Sequence, residues 1–313
     1  MVCPLKRIFS STNNGDKYLR EQHFQNTDLM KNLLFDTSLK QLQRKFAAHH
    51  PNSLKAQYLH GHSAEQLVER LMDIKVTFPL VFDYMSGYGH IAYAIQLDSG
   101  INSILKYEPV KSYHKSQLST NISSRFVDKL EPSKCIVSNL RLHWDNDLLS
   151  TFKSINQHLL PDGCFLGALL GGDTLYELRS SLQLAEQERL GGFSPHHTSP
   201  MTTMRDIGNV LSESNFVLPT IDYEEVTIQY PTIFELLDDL ELMGERNALL
   251  ERNTALRKDV LVAASGIYKA MYAPNSDSIP ATFQIIYFIG WKHGTERKPK
   301  DRGSAEKHIT ELL

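Results

Sequence analysis

"VFDYMSGYGHIAYAI", residues 81 to 95, runs from apolar residues into an acid, Asp83, and then through two glycines, Gly87 and Gly89, into a helix-like stretch. An apolar strand that ends on an acid and turns through glycines into a helix opens the nucleoside-binding unit of many α/β proteins. The glycines let a ligand approach the backbone, and the first N–H groups of the helix face outward at the carboxyl end of the strand. Glu108 follows a second apolar run, "SILKY" (103–107), where an acid can accept both ribose hydroxyls. Strand, glycine turn, helix, strand and acid are together more specific than the glycines alone. The G-x-G-x-x-G spacing of an NAD site is absent.

Working outward, "VTFPLVF" (76–82), "KCIVS" (134–138) and "CFLGALL" (164–170) are apolar on consecutive positions. Strands of a parallel sheet read this way when both faces are covered. Upstream, Tyr58, Leu59, Leu67, Val68, Leu71 and Met72 recur at helical spacing within a helical region from Leu33 to Ile74. "NDLLSTFKSINQHLL" (146–160) predicts a helix stopped by Pro161-Asp162-Gly163. After Gly172, "DTLYELRSSLQLAEQERL" (173–190) predicts an amphipathic helix with Asp173 as N-cap or first-turn acid, closed by Gly191-Gly192. Then come "FVLPTIDYEEVTIQY" (216–230), helical stretches at about 231–246 and 254–273, and a late strand, "ATFQIIYFIGWKH" (281–293). The alternation predicts an α/β, doubly wound Rossmann-like sheet with N-terminal helices and a helical insertion, or lid, near the C-terminal strands. Residues 1–30 are expected to be a presequence or disordered tail, 31–294 one domain, and 295–313 a charged tail.

The chain has 313 residues, 41% hydrophobic and 22% charged, enough apolar material for a sizeable core. A net charge of -3 gives no general attraction to nucleic acid, and no apolar run is long enough to span a membrane. Cys3, Cys135 and Cys164 form no zinc spacing; the latter two, beside apolar runs, read as buried free thiols. Lys6, Arg7, Lys17 and Arg20 against the single acid Asp16 give the start the composition of a mitochondrial presequence or of a basic tail.

"SNLRLHWDNDL" (138–148), "LLPDGCFLGALLGGDTLYELRSSLQLAEQERLGGFSPH" (159–196) and "PATFQIIYFIGWKH" (280–293) resemble the mitochondrial complex I assembly factor 5 family, as does "FDTSLKQLQRKFAA" (35–48). The resemblance covers about residues 33–293 and implies a class I methyltransferase-like fold. It further implies an arginine hydroxylase acting on a complex I subunit, with S-adenosylmethionine or a related ligand in the pocket. Such a protein would sit in the mitochondrial matrix, peripheral to the inner membrane, with other assembly factors as further partners and no nucleic acid. Carried over by position, the resemblance puts the cofactor turn on Asp83, Ser86, Gly87 and Gly89, the ribose acid on Glu108, and the end of strand 4 on Ser138, Asn139 and Leu140. Two departures stand out. Met85 replaces a glycine, and the stretch 109–134 is short, with no clear third strand ending in an acid; "SSRFVDKLEP" offers only Asp128.

For chemistry, the best-placed side chains lie just after strand 5: Asp173, Tyr176 and Glu177 as catalytic candidates, with Arg179 beside them. Glu177 either faces a substrate guanidinium or lies on a solvated helix face. Trp144 is expected under the cleft rim. His143-Trp144-Asp145 has an H-x-D spacing and His196-His197 form a loop pair, but no cluster has convincing metal-ligand spacing, so no metal is expected. Whether the chain is an enzyme stays open among three readings: an arginine hydroxylase, a catalytically inactive assembly or binding module, and an S-adenosylmethionine-dependent O-methyltransferase for a small or carrier-linked substrate. The last follows from "LHW…DL…LLPDG", which is shared with malonyl-carrier-protein O-methyltransferases.

Overall fold

In the computed structural model, residues 33–95, 99–192, 197–252 and 256–295 are described. The expected presequence, the charged tail after 295 and His196 lie outside them. Phe35 opens the main compact unit. Seven strands form one sheet: β1 (Leu80–Tyr84), β2 (Ser103–Tyr107), β3 (Ser123–Val127), β4 (Ser133–Asn139), β5 (Leu159–Leu170), β6 (Phe216–Tyr230) and β7 (Ile279–Lys292). Their order is β3-β2-β1-β4-β5-β7-β6. β3, β2, β1, β4 and β5 are parallel; β7 runs antiparallel to both β5 and β6. The order reverses between β1 and β4, the crevice where open α/β sheets take ligands.

The consecutive apolar residues of the strands feed opposite faces. Val81, Ile104, Val137, Leu166, Ile285 and Tyr287 pack beneath α2 (Tyr58–Met72), α5 (Tyr176–Leu190) and α8 (Lys258–Tyr272). Phe82, Leu105, Ile136, Phe165 and Phe288 pack beneath α4 (Leu148–His158) and α6 (Met204–Glu213). A side chain at Gly167 of β5 would collide with the Phe288 ring, so the glycine is what lets β7 lay that ring across β5.

The region 33–74 is two helices. α1 (Thr37–His49) starts on Asp36, which accepts from Leu39 N, and Pro51 separates it from α2. α3 (His90–Ala94) has only five residues and follows Gly89, whose left-handed φ of 79° a glycine adopts without cost. α7 (Ile233–Met243) and α8 fall within the expected helical stretches. β6 pairs along nearly all of β7, so part of the expected insertion is itself sheet. Cys135 and Cys164 are buried free thiols on paired positions of β4 and β5.

Four expectations are corrected. A third strand exists: β3 pairs with β2 in register, and Asp128 follows it directly. As an edge strand its burial is patchy, so it carries no apolar run. α4 ends at His158, and Leu159 already begins β5, ahead of Pro161. α5 starts at Tyr176, with Leu175 in a left-handed conformation before it, so Asp173 is not its N-cap. Glu177 is neither solvated nor facing open space: it is 1% exposed.

Candidate functional site

The glycine turn leaves β1 at Tyr84, and Met85 takes a left-handed φ of 61°. A methionine there costs about 1–2 kcal/mol relative to glycine. Its half-buried side chain packs against the Phe82–Phe165 core. Leu140, just past β4, is also left-handed, with φ 47°. Strained residues of this kind gather at ligand clamps, and these two flank the crevice.

The crevice is polar and largely sealed. Asp83 is 1% exposed, and neither carboxylate oxygen has a hydrogen-bond partner. Burial pushes its carboxyl up to about 7; Glu108 adds to this, while Lys106 and Arg141 oppose it. Ser86 Oγ, Ser138 Oγ and Asn139 Oδ1 are likewise buried without partners, although Asn139 Nδ2 donates to the His60 carbonyl at 2.8 Å. Burial, with Arg141 nearby, holds the His60 and His90 rings neutral, His90 near about 3. The turn after β1 meets Glu108 after β2 through Gly87 N, and Ser138 and Asn139 end the neighbouring β4.

Glu108 is differently employed than expected. Its Oε2 accepts from Gly87 N at 2.8 Å and its Oε1 from Val110 N at 2.9 Å, so each oxygen that would meet a ribose hydroxyl already holds the backbone. Gln117 covers the second glycine: its Nε2 donates to Gly87 O at 2.7 Å, and its Oε1 lies 2.7 Å from where a Gly89 Cβ would stand. The Arg141 guanidinium covers the first glycine. A Cβ on Gly87 would fall inside contact distance of Arg141 Nη2 and only 3.1 Å from its Cζ. A ligand lying against the Gly87 backbone, as S-adenosylmethionine would, meets that guanidinium, so the turn as arranged does not fit it, although orphaned polar atoms surround the crevice.

Beside the crevice is a cavity of about 570 Å³ between α1, α5 and α7, walled by Leu39, Leu178, Leu182, Leu240 and Trp144, with Glu241 and Glu245 as its carboxylates. Glu245 anchors it. Its Oε2 accepts from His143 Nε2 at 2.9 Å and Trp144 Nε1 at 2.5 Å, while Oε1 is unpartnered. Burial alone would raise the Glu245 carboxyl; His143, Lys40 and Arg44 instead hold it far below the usual carboxylate range. Lys40 Nζ sits 3.4 Å from the Trp144 ring centroid and donates to Gly244 O and Arg246 O.

The catalytic candidates do not converge on this cavity. Asp173 is exposed, accepting from Gln284 Nε2 at 3.0 Å, and Tyr176 is 42% exposed. Glu177 accepts from Thr282 Oγ1 at 2.5 Å and Thr282 N at 3.3 Å, tying α5 to β7. Arg179 donates to the Gly172 and Thr174 carbonyls. The H-x-D spacing makes no pair either: His143 serves Glu245, and Asp145 accepts from Thr151 Oγ1. His197 of the loop pair holds Glu186 at 2.6 Å. Among the described residues, no group of three or more His, Cys, Asp and Glu could hold a metal, and no helix is long and apolar enough to cross a membrane. Glu177→Ala, which strands Thr282 N and leaves Thr282 Oγ1 only Thr227 Oγ1 as a partner, is expected to cost about 1–3 kcal/mol in urea unfolding; an unchanged midpoint would free the residue for a role in the chemistry.

Sequence reading missed Arg141, Gln117, Lys40, Arg44 and Glu245. Only Arg141 carried a local signal, as a lone cation inside the apolar "NLRLHW" (139–144).

The strand order and a glycine turn at its switch point define a class I methyltransferase-like fold. No protein-family model matches the chain. It is 41% identical over 288 residues to the mouse protein named arginine-hydroxylase NDUFAF5, mitochondrial, covering 89% of this chain and 83% of the relative. It is 41% identical to the Dictyostelium discoideum protein of the same name, covering 92% and 72%. The chain belongs to the arginine-hydroxylase NDUFAF5 family. A malonyl-[acyl-carrier protein] O-methyltransferase of Coxiella burnetii is 28% identical, covering 78% of this chain and 84% of that one. Among solved structures, the YcgJ protein of Bacillus subtilis covers 75% of this chain and is itself covered in full, at 14% identity and a TM-score of 0.47, too loose to bear on the fold.

Proposed function

We propose that this chain is a mitochondrial hydroxylase that oxidises an arginine side chain on a subunit of complex I. The observation that carries the reading is the identity of 41% across 89% of the chain to relatives named as arginine hydroxylases. The cavity supports it in kind. Leucine walls suit the methylenes of an arginine, and Glu245, whose Oε1 has no partner, suits its guanidinium. Hydroxylation replaces one C–H bond of the arginine by C–OH, adding a single oxygen atom. The protein would act in the matrix, peripheral to the inner membrane, with residues 31–294 as the working unit. Asp173 and Tyr176, exposed just after β5, are the candidate side chains most open to a docked protein substrate.

A second reading is favoured by the closed turn: a binding module that holds the subunit during assembly without turnover. To separate the two, the chain is expressed in mitochondria lacking their own family member, and arginine peptides of isolated complex I are weighed. One added oxygen on a single arginine is the expected outcome. Restored complex I without modification would establish the binding module, and one added methylene would establish a methyltransferase.

A further inference from the structure

We propose that Arg141 is the resident occupant of the cofactor turn, a specificity-determining side chain that closes this site to S-adenosylmethionine. The glycines of such a turn exist so that ligand atoms can lie against the backbone. At Gly87 that space is taken by the Arg141 guanidinium, with Cζ 3.1 Å and Nε 3.3 Å from the Cβ position. No ligand atom can share it, because non-bonded heavy atoms repel below about 3.4 Å unless they form a hydrogen bond.

The guanidinium is enclosed there. Arg141 is 4% exposed, and its Cζ lies 5.0 Å from the centroid of the fully buried Tyr113 ring, while Nη1 has no hydrogen-bond partner; the residue's backbone carbonyl accepts from Arg44 Nη2 at 3.1 Å. Tyr113 is itself locked edge-to-face against Tyr88 at 4.8 Å. The acids around it suit a cation. Asp83 leaves both oxygens unpartnered and Glu108 is bound only by backbone N–H groups. S-adenosylmethionine would bring a positive sulfonium into a site that already holds an always-charged guanidinium, so charge as well as volume opposes it. Gln117 reinforces the closure over Gly89, but through a side chain that is partly exposed. Arg141 is the deeper plug, and a serine at this position would leave the space empty. This inference does not depend on the hydroxylase reading, since it concerns what the turn admits rather than what the protein modifies.

The test is calorimetric titration of the full chain with S-adenosylmethionine and with S-adenosylhomocysteine, whose sulfur is neutral. It is run on the natural protein, Arg141→Ser, Arg141→Gln and Gln117→Ala, with thermal melts to verify folding. The natural protein and Gln117→Ala should show no binding at ligand concentrations of about 1 mM. Arg141→Ser should bind both ligands, roughly 100-fold tighter than that limit. Arg141→Gln, uncharged and shorter, should bind S-adenosylmethionine at an intermediate level. Binding by the natural protein at micromolar concentrations overturns the proposal. So does a folded Arg141→Ser variant that binds neither ligand. If Arg141→Ser does not fold, the Arg141→Gln titration decides on the same criterion. If neither variant folds, the natural protein decides: a rise in its melting temperature with saturating S-adenosylmethionine overturns the proposal, and none upholds it.

Discussion

Glu245→Gln is expected to destabilise the protein by about 3–5 kcal/mol, the cost of removing one partner from a buried ionic cluster. Glu245 is contributed by the loop after α7, reached through Gly244 in a left-handed conformation. It is the carboxylate that His143 and Trp144 both bond. Around it stand three buried cations, Lys40, Arg44 and Arg141, each of which feels its charge. Glutamine keeps the volume and one acceptor but takes away the negative charge that all three cations share. For a chain of this size the melting temperature should fall by roughly 2 °C per kcal/mol, hence about 6–10 °C. Lys40→Met should cost less in the Glu245→Gln background than in the natural protein, since its attraction to Glu245 is already gone there. Its bonds to the Gly244 and Arg246 carbonyls are lost in either case, so a double-mutant cycle measures that coupling. Glu241→Gln is the control. Glu241 meets Arg246 at 3.0 Å at the surface, with both side chains well exposed, so less than about 1 kcal/mol should be lost. The pH sign is fixed by the depressed folded-state carboxyl. The stabilisation is fully present above the unfolded pKa of about 4.3 and fades as pH falls below it toward the lower folded value. Equal losses at Glu245 and Glu241 would sink the idea that the buried cluster carries the α1–α7 side of the cavity.

What was legible followed from local pattern. β1, β2, β4, β5 and β7 stand out because strands covered on both faces must be apolar on successive residues, and Asp83 and Glu108 stand at strand ends where the acids of such a unit belong. β3 was not legible because an edge strand with half-buried residues has no such pattern. Glu177 was readable in principle: Ser181 and Ala185 follow it at four-residue spacing on the buried face of α5, so its helical phase already pointed inward. The site was harder for a different reason. Its outcome rests on long-range side-chain placement, such as Lys40 meeting Gly244 and Arg44 meeting Arg141, that no local period encodes. Met85 illustrates the limit from the other side. The resemblance marked it as a replacement of glycine, but only the structure gives its left-handed φ, packs its side chain against the core and sets Arg141 over Gly87.

Asp83→Asn should stabilise the protein at pH 8 and leave it nearly unchanged at pH 4. Burial is the main cause of the raised Asp83 carboxyl, at about 7 in the folded chain, against about 3.9 unfolded. Between those values the unfolded chain has released the proton and the folded chain still holds it, so folding takes up a proton and stability falls as pH rises. The loss is complete once pH passes the folded value, and a difference of about 3 pKa units corresponds to about 4 kcal/mol at most. Asparagine removes the titration, at the expense of an amide whose donors need partners, so a gain of about 1–3 kcal/mol at pH 8 is expected. Urea unfolding at pH 4, 6 and 8, followed by the fluorescence of Trp144 and Trp291, reads the divergence directly. Parallel pH profiles for the two proteins would show that Asp83 ionises freely and that Lys106 and Arg141 compensate its burial. A diverging pair would show something about the crevice itself. An acid held at such cost makes no hydrogen bond in the fold, and only the charges of Lys106 and Arg141 offset its burial.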